Sequence, residues 1–107
     1  MIPLKIYIAG PMRGYENHNF DEFFKAEKYL VFEGWLSENI INPARLDEEE
    51  GIDPETDDID IRSILRRDIT ALMKCDSLYL LRGWARSEGA RAEHAVASAM
   101  GMFLVYQ

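Results

Sequence analysis

The chain of 107 residues has a single cysteine, Cys75, and no long uninterrupted apolar run. One cysteine excludes an internal disulfide bond and a cysteine-based metal cluster, and scarce cysteine is typical of proteins of the reducing cytoplasm. A membrane-spanning helix needs roughly 18 consecutive apolar residues, which this sequence lacks, and its N-terminus has no signal-peptide pattern. We therefore expect a cytoplasmic protein that has no membrane partner.

Positive charge is also scarce. The chain has 12 lysine and arginine residues against 19 aspartate and glutamate residues, a formal net charge of −7, and its acidic residues crowd into positions 47–60. Binding to duplex nucleic acid depends on cationic contacts to phosphates, so this balance argues against such a partner. A small anionic ligand responds to the local charge of its site and is not excluded.

Metal-binding patterns are missing as well. The two histidines, His18 and His94, have no cysteine or carboxylate partners at zinc-ligand spacing. The acidic stretch at 47–60 lacks the glycine and the final glutamate of a calcium-binding loop. We expect neither a metal nor a cofactor.

Strand patterns alternate with helix patterns along the chain. Strand-like segments fall at 4–9, 39–42, 77–81 and 102–106, and helix-like segments at about 20–33, 59–75 and 88–101. Residues 44–58 have no periodicity, which predicts a long polar loop. The alternation predicts one α/β domain over 1–107, a flavodoxin-like or Rossmann-like parallel sheet of order 2-1-3-4 with helices on both faces.

Ligands of such sheets bind beyond the carboxyl ends of the strands, at the switch point between the first and third strands. The loops at that edge span 10–19, 43–58 and 82–87. Any binding site should therefore be assembled from these loops and from the helices that follow them.

Asp68 falls on the apolar face of the helix predicted at 59–75. That face is formed by Ile61, Ile64, Leu65, Ile69, Leu72 and Met73. Burial there would raise the pKa of the Asp68 carboxyl group unless a donor compensates. A structural interpretation stays open, in which the carboxylate caps a loop or lies at the edge of the apolar face.

The stretch SEGARAEHA at 87–95 opens the last helix with a glycine and places a carboxylate one turn further along. Ser87 is a natural N-cap, and the small residues Gly89 and Ala90 leave the first amides accessible to an anion. Glu93 would then point into the crevice. The alternative is that Ser87 only caps, Gly89 allows close packing, and Glu93 is solvated.

The loop after the first strand reads GPMRG at 10–14. It is neither a dinucleotide fingerprint nor a Walker motif, but its backbone amides and a guanidinium group could hold one phosphate. We take Gly10, Met12, Arg13 and Gly14 as candidate substrate contacts. Trp84 could stack on a flat ring, or it could be a partly buried loop aromatic.

Three segments in this order carry a resemblance: IYIAGPMRG at 6–14, RRDITALMKCDSLYLL at 66–81 and SEGARAEHAVA at 87–97. Together they resemble the nucleoside 2-deoxyribosyltransferase superfamily. Within it, the chain is similar to a small phage-associated domain of unknown function and, more distantly, to the 2′-deoxynucleoside 5′-phosphate N-hydrolases. If a phage encodes the chain, the cytoplasm is that of the host.

The resemblance implies roles for individual residues. Glu93 would be the nucleophile, Asp68 would orient the sugar or give a proton to the departing base, and Tyr7 would hydrogen-bond the nucleophile. The cradle for the 5′-phosphate would consist of Gly10, Arg13, Ser87 and Gly89. A homodimer or higher oligomer is also implied, with the phenylalanine face of the first helix and the alanine face of the last as candidate contacts.

The leading hypothesis is an N-glycosidase, or a base-exchanging deoxyribosyltransferase, acting on a 2′-deoxynucleoside 5′-monophosphate. In such a reaction positive charge develops at C1′, where a carboxylate can stabilise it and bond to it. A second hypothesis is a non-catalytic module that binds a nucleotide. A third is a protein with an empty crevice that only contacts partners, against which the burial of Asp68 argues.

Overall fold

The structure, a computed structural model, describes residues 4–53 and 59–107, and within them it confirms the predicted sheet. Four parallel strands lie in the order β2-β1-β3-β4. The strands are β1 Ile6–Ala9, β2 Ile40–Ile41, β3 Ser77–Leu80 and β4 Phe103–Tyr106. The helices are α1 Phe20–Phe32, α2 Pro43–Glu49, α3 Ile61–Leu72 and α4 Glu88–Ala99.

The central strand β1 is buried on both faces, which explains its nearly uninterrupted apolar sequence. Ile6 and Ile8 belong to the core layer that contains the buried face of α1. Tyr7 and Ala9 point the other way, into the layer formed with α3 and α4. Because side chains alternate along a strand, Tyr7 is directed towards the helices that carry Asp68 and Glu93.

The prediction of an irregular loop over 44–58 was wrong in its first part, because α2 lies there. Asn42 caps this helix by accepting a hydrogen bond from the amide of Ala44 at 3.0 Å, and Pro43 occupies the first turn. Asparagine followed by proline is a favourable helix start. Positions 54–58 of the predicted loop lie outside the described residues.

The other elements are shorter than predicted. The second strand is reduced to Ile40–Ile41, because Asn39 ends a short 3₁₀ turn and Asn42 caps α2. Helix α3 begins after Asp60, whose carboxylate accepts hydrogen bonds from the amide and the hydroxyl group of Ser63. Among the described residues, no helix is long and apolar enough to cross a membrane.

Strand β4 forms one edge of the sheet, and its α1-facing side is open. Phe103 and Val105 alternate with Leu104 on this strand, and Phe103 is 78% exposed. Helix α1 reaches only as far as β3, where the rings of Tyr29 and Tyr79 lie 6.1 Å apart. An apolar strip therefore stays uncovered beside α1.

Candidate active site

A pocket of about 560 Å³ lies at the carboxyl edge of the sheet, where the fold predicts a ligand. The loop after β1, both helices that follow β2 and the start of α4 form its walls. Its lining residues are Gly10, Pro11, Met12, Arg13, Tyr15, His18, Phe23, Pro43, Asp47, Ile52, Ile59, Ile61, Ile64, Leu65, Asp68, Arg86, Ser87, Glu88, Gly89, Ala90 and Glu93.

At the buried side of the pocket, the hydroxyl group of Tyr7 donates a hydrogen bond to Oε2 of Glu93. Tyr7 is completely buried, and Glu93 is 6% exposed. Burial raises the pKa of Glu93 to about 8; the Tyr7 hydrogen bond opposes this shift and the charge of Asp68 adds to it. Burial, with the charges of Glu93 and Asp68, also raises the pKa of Tyr7 well above its ordinary value, so its hydroxyl group remains a donor. The pair fixes the position of one pocket-facing carboxyl group.

A network of ion pairs around Arg67 joins α2 to α3. Its Nη2 atom lies 2.6 Å from Oδ1 of Asp47 and 2.8 Å from Oδ1 of Asp68, and its Nη1 atom lies 3.0 Å from Oε2 of Glu50. Burial would lower the pKa of Arg67, but the hydrogen bonds to Asp47 and Asp68 outweigh it and raise that pKa. One guanidinium group thus orients two pocket-lining carboxylates.

The pKa of the Asp68 carboxyl group is also raised. Burial raises its pKa to about 6, although the hydrogen bond and charge of Arg67 oppose the shift. Strongly perturbed pKa values in a cleft are typical of acid–base residues. Asp68 and Glu93 therefore form a pair of carboxyl groups in one pocket, each with a raised pKa.

The exposed side of the pocket has groups that favour an anion. Ser87 caps α4 by accepting a hydrogen bond from the amide of Ala90 at 3.2 Å. The amides of Glu88 and Gly89, at the first two positions of the helix, have no acceptor inside it by helix geometry. Two exposed arginines, Arg13 and Arg86, also line the pocket. Helix amides and guanidinium groups together favour a phosphate.

The predicted phosphate cradle has two glycines, Gly10 and Gly89, and a side chain would meet different surroundings at each. A Cβ added at Gly10 would lie 2.7 Å from Cδ1 of Leu81 and 2.8 Å from its Cβ, so packing inside the chain requires glycine there. A Cβ added at Gly89 would meet no atom within 4 Å. No packing contact explains the glycine at 89, and the space beside it belongs to the pocket.

The loop between β1 and α1 is held in an unusual conformation. Asn17, His18 and Asn19 have consecutive positive φ angles of 51°, 50° and 61°. The side-chain amide of Asn19 donates to the carbonyl of Pro11 at 3.0 Å, which ties the loop to the end of β1. Left-handed conformations at residues other than glycine concentrate at functional sites, and here they bring His18 to the pocket.

The structure brings most of the predicted site residues together, with Tyr7 behind Glu93. Neither Gly14 nor Trp84 is among the described residues that line the pocket. The ring of Trp84 stacks on His94 at 4.2 Å between centroids, and His94 in turn hydrogen-bonds the hydroxyl group of Tyr106 at 3.0 Å. Trp84 therefore packs against the chain itself and does not face the pocket.

Sequence reasoning missed Asp47 and Arg86. Asp47 lay in the segment interpreted as a solvated acidic loop, although the Asn42-Pro43 pair could have indicated a helix that buries one face. Arg86 directly precedes the Ser87 cap, and this position alone could have associated it with an anion site. Among the described residues, no group of three or more histidine, cysteine or acidic side chains could hold a metal ion.

The sequence matches the family model described as Domain of unknown function (DUF4406) over residues 4–106. The chain belongs to this family. No curated protein matches it. The family model includes every residue of the pocket, from the end of β1 to Glu93 on α4.

Proposed function

We propose that this protein cleaves the N-glycosidic bond of a 2′-deoxynucleoside 5′-monophosphate with Glu93 as the nucleophile. The observation that carries the proposal is the buried Tyr7–Glu93 pair, because its Glu93 carboxyl group lines the same pocket as Asp68. A carboxylate fixed below C1′ stabilises the positive charge that develops there. The resemblance described above assigns the same three residues to this reaction.

The reaction has two steps. An oxygen of ionised Glu93 bonds to C1′ while the C1′–N bond breaks, its electron pair goes to the base, and Asp68 gives the base a proton. Water then attacks C1′, Asp68 takes back a proton from it, and Glu93 leaves as a carboxylate. The products are the free base and 2-deoxyribose 5-phosphate. A second base in place of water would give base exchange.

Helix α4 relates the anion site to the nucleophile. Glu93 follows Gly89 by four residues, which places it about 6 Å further along the helix axis at 1.5 Å per residue. A 5′-phosphate at the helix N-terminus would then leave one sugar ring between itself and the carboxyl group. The open space beside Gly89 supports this arrangement.

The test is to incubate the protein with the four 2′-deoxynucleoside 5′-monophosphates and to separate free base from nucleotide by chromatography. Base and sugar phosphate should appear in equal amounts, and Glu93→Ala should abolish their release. Glu38→Gln removes an exposed carboxylate outside the pocket lining and serves as the matched control. Absence of base with all four substrates would contradict the proposal.

A non-catalytic nucleotide-binding module is the second candidate, and the raised pKa of Glu93 favours it. With a pKa of about 8, most Glu93 carboxyl groups are protonated at pH 7 and cannot attack C1′. Calorimetry separates the two candidates. Binding of a monophosphate without turnover, unchanged by Glu93→Ala, would identify a binding module.

We also propose that the protein acts as a cytoplasmic homodimer. Among the expected contacts, Phe20 and Phe23 of α1 and Ala97 of α4 are buried in the core of one chain, whereas other alanines of α4 are exposed. The apolar strip on β4, with Phe103 at its start, is a better candidate contact. Light scattering should give a dimer for the native chain and a monomer for Phe103→Glu.

A further inference from the structure

One wall of the pocket has no role in the proposed reaction at C1′. It comes from the segment after α2, from the residue Ile59 before α3 and from the first half of α3. Its side chains are aliphatic: Ile52, Ile59, Ile61, Ile64 and Leu65. With the phosphate at α4 and the sugar over Glu93, this wall is left for the flat faces of the base.

Asp47 on α2 is a pocket-lining carboxylate that has no role in the proposed reaction at C1′. Its side chain is 4% exposed, and its Oδ1 atom accepts a hydrogen bond from Nη2 of Arg67 at 2.6 Å. The same nitrogen holds Oδ1 of Asp68 at 2.8 Å. Arg67 does not line the pocket and lies behind the two carboxylates. Asp47 is therefore a fixed hydrogen-bond acceptor beside the acid that protonates the base.

The proton donor Asp68 beside the acceptor Asp47 complements only those bases that present an acceptor next to a donor. Adenine presents the acceptor N7 beside the donor N6 amino group, and cytosine presents N3 beside the N4 amino group. Guanine and thymine carry a carbonyl oxygen in place of that amino group, at O6 or O4. A buried carboxylate repels a carbonyl oxygen and gains no donor from it, which is costly.

We propose that Asp47 selects nucleotides whose base carries an amino group at purine C6 or pyrimidine C4, so that deoxyadenosine and deoxycytidine monophosphates are the preferred substrates. The proposal rests on the proposed function, since it takes C1′ to lie over Glu93 and the phosphate to lie at α4. Asp68 protonates the ring nitrogen, and Asp47 accepts from the neighbouring amino group. The aliphatic wall packs against the ring and supplies no competing donor.

The test measures binding of all four monophosphates to the catalytically inactive Glu93→Gln variant by calorimetry. The adenine and cytosine nucleotides should bind at least about tenfold more tightly than the guanine and thymine nucleotides, because a site built to accept from an N–H group at this position rejects a ligand without one. The comparison needs no change at Asp47, so it does not depend on how that variant folds.

Asp47→Asn, added to the same background, should reduce this preference to about one or reverse it, since an amide can donate to O6 or O4. Glu50→Gln is the matched control: it also removes a carboxylate from Arg67, but Glu50 is 51% exposed and does not line the pocket. The preference should persist there. An equal loss of preference in both variants would assign the effect to Arg67 and overturn the role of Asp47.

Two further outcomes separate this inference from the proposed function. Equal binding of all four nucleotides, with base release still observed in the native protein, overturns the selection by Asp47 and leaves the glycosidase intact. No binding of any nucleotide overturns both.

Discussion

The buried and the exposed sides of the pocket differ in charge and in what holds their side chains. Three carboxyl groups, those of Asp47, Asp68 and Glu93, are 3%, 8% and 6% exposed and are bonded to other side chains. Arg13 and Arg86 at the other side are exposed to solvent. The acidic side is thus preorganised inside the fold, whereas the basic side faces solvent, where a ligand can reach it.

The two sides of the pocket should also contribute differently to the stability of the folded protein. A buried carboxyl group with a raised pKa destabilises the folded protein whenever it is ionised, and such destabilisation is a common feature of active sites. Exposed arginines have almost no such cost, because water solvates them. Changes on the buried side should therefore alter both stability and chemistry, while changes on the exposed side should alter ligand affinity alone.

The largest effect should come from Glu93→Gln. Loss of the proposed nucleophile should lower base release by at least about a thousandfold. The same change should stabilise the fold: the pKa of Glu93 is about 8 when folded and near its ordinary value when unfolded, so native stability falls as pH rises between these values. At pH 9 the variant should be more stable by a few kcal/mol.

Thermal unfolding of both proteins between pH 4 and pH 9 measures this second effect. The two curves should coincide at the acidic end and separate progressively above pH 5. A constant difference across the whole range would mean that ionisation of Glu93 is not the cause.

The second prediction compares the two glycines of the phosphate cradle. Gly10→Ala should destabilise the protein by about 1–3 kcal/mol, because its Cβ would overlap Leu81. Gly89→Ala should leave stability unchanged or raise it by up to about 1 kcal/mol, because alanine favours the helix and meets no neighbouring atom. Only Gly89→Ala should raise KM for a monophosphate, by about tenfold or more.

Denaturant unfolding and steady-state kinetics of the two variants give the required numbers. A stable Gly89→Ala variant with unchanged KM would contradict the placement of the substrate phosphate at the N-terminus of α4. That result would leave the nucleophile assignment untouched.

Arg13→Ala and Arg86→Ala test the exposed side directly. Each should raise KM for a monophosphate by about threefold to tenfold with little change in kcat, since the lost contact is made equally in the ground and transition states. The effect should shrink at high salt and vanish for the nucleoside that lacks the phosphate. A fall in kcat instead would place the arginine near the reacting atoms.

The sheet was predictable because strand alternation and the order of elements constrain a parallel sheet strongly. The helix faces of Asp68 and Glu93 made both carboxylates candidates but left capping and solvated roles open, and only the resemblance gave them a shared site. Asp47 was not predicted, since its acidic neighbours hid a seven-residue helix whose buried face appears only when it packs on α1. The outward placement of Trp84 depends on stacking with His94, a contact that local patterns do not encode.

The smallest predicted effect concerns Glu50, which contacts Arg67 at the boundary between the two sides. With Asp68 as acid and Glu93 as ionised nucleophile, kcat/KM should rise with pH to a limb near 6, level off, and fall above a limb near 8. The charge of Glu50 raises the pKa of Asp68, so Glu50→Gln should move only the acidic limb, to lower pH and by less than about one unit. The plateau should fall slightly, because less Asp68 is protonated there. A shift of the basic limb instead would mean that Asp68 and Glu93 titrate as one coupled pair, with Arg67 acting on both.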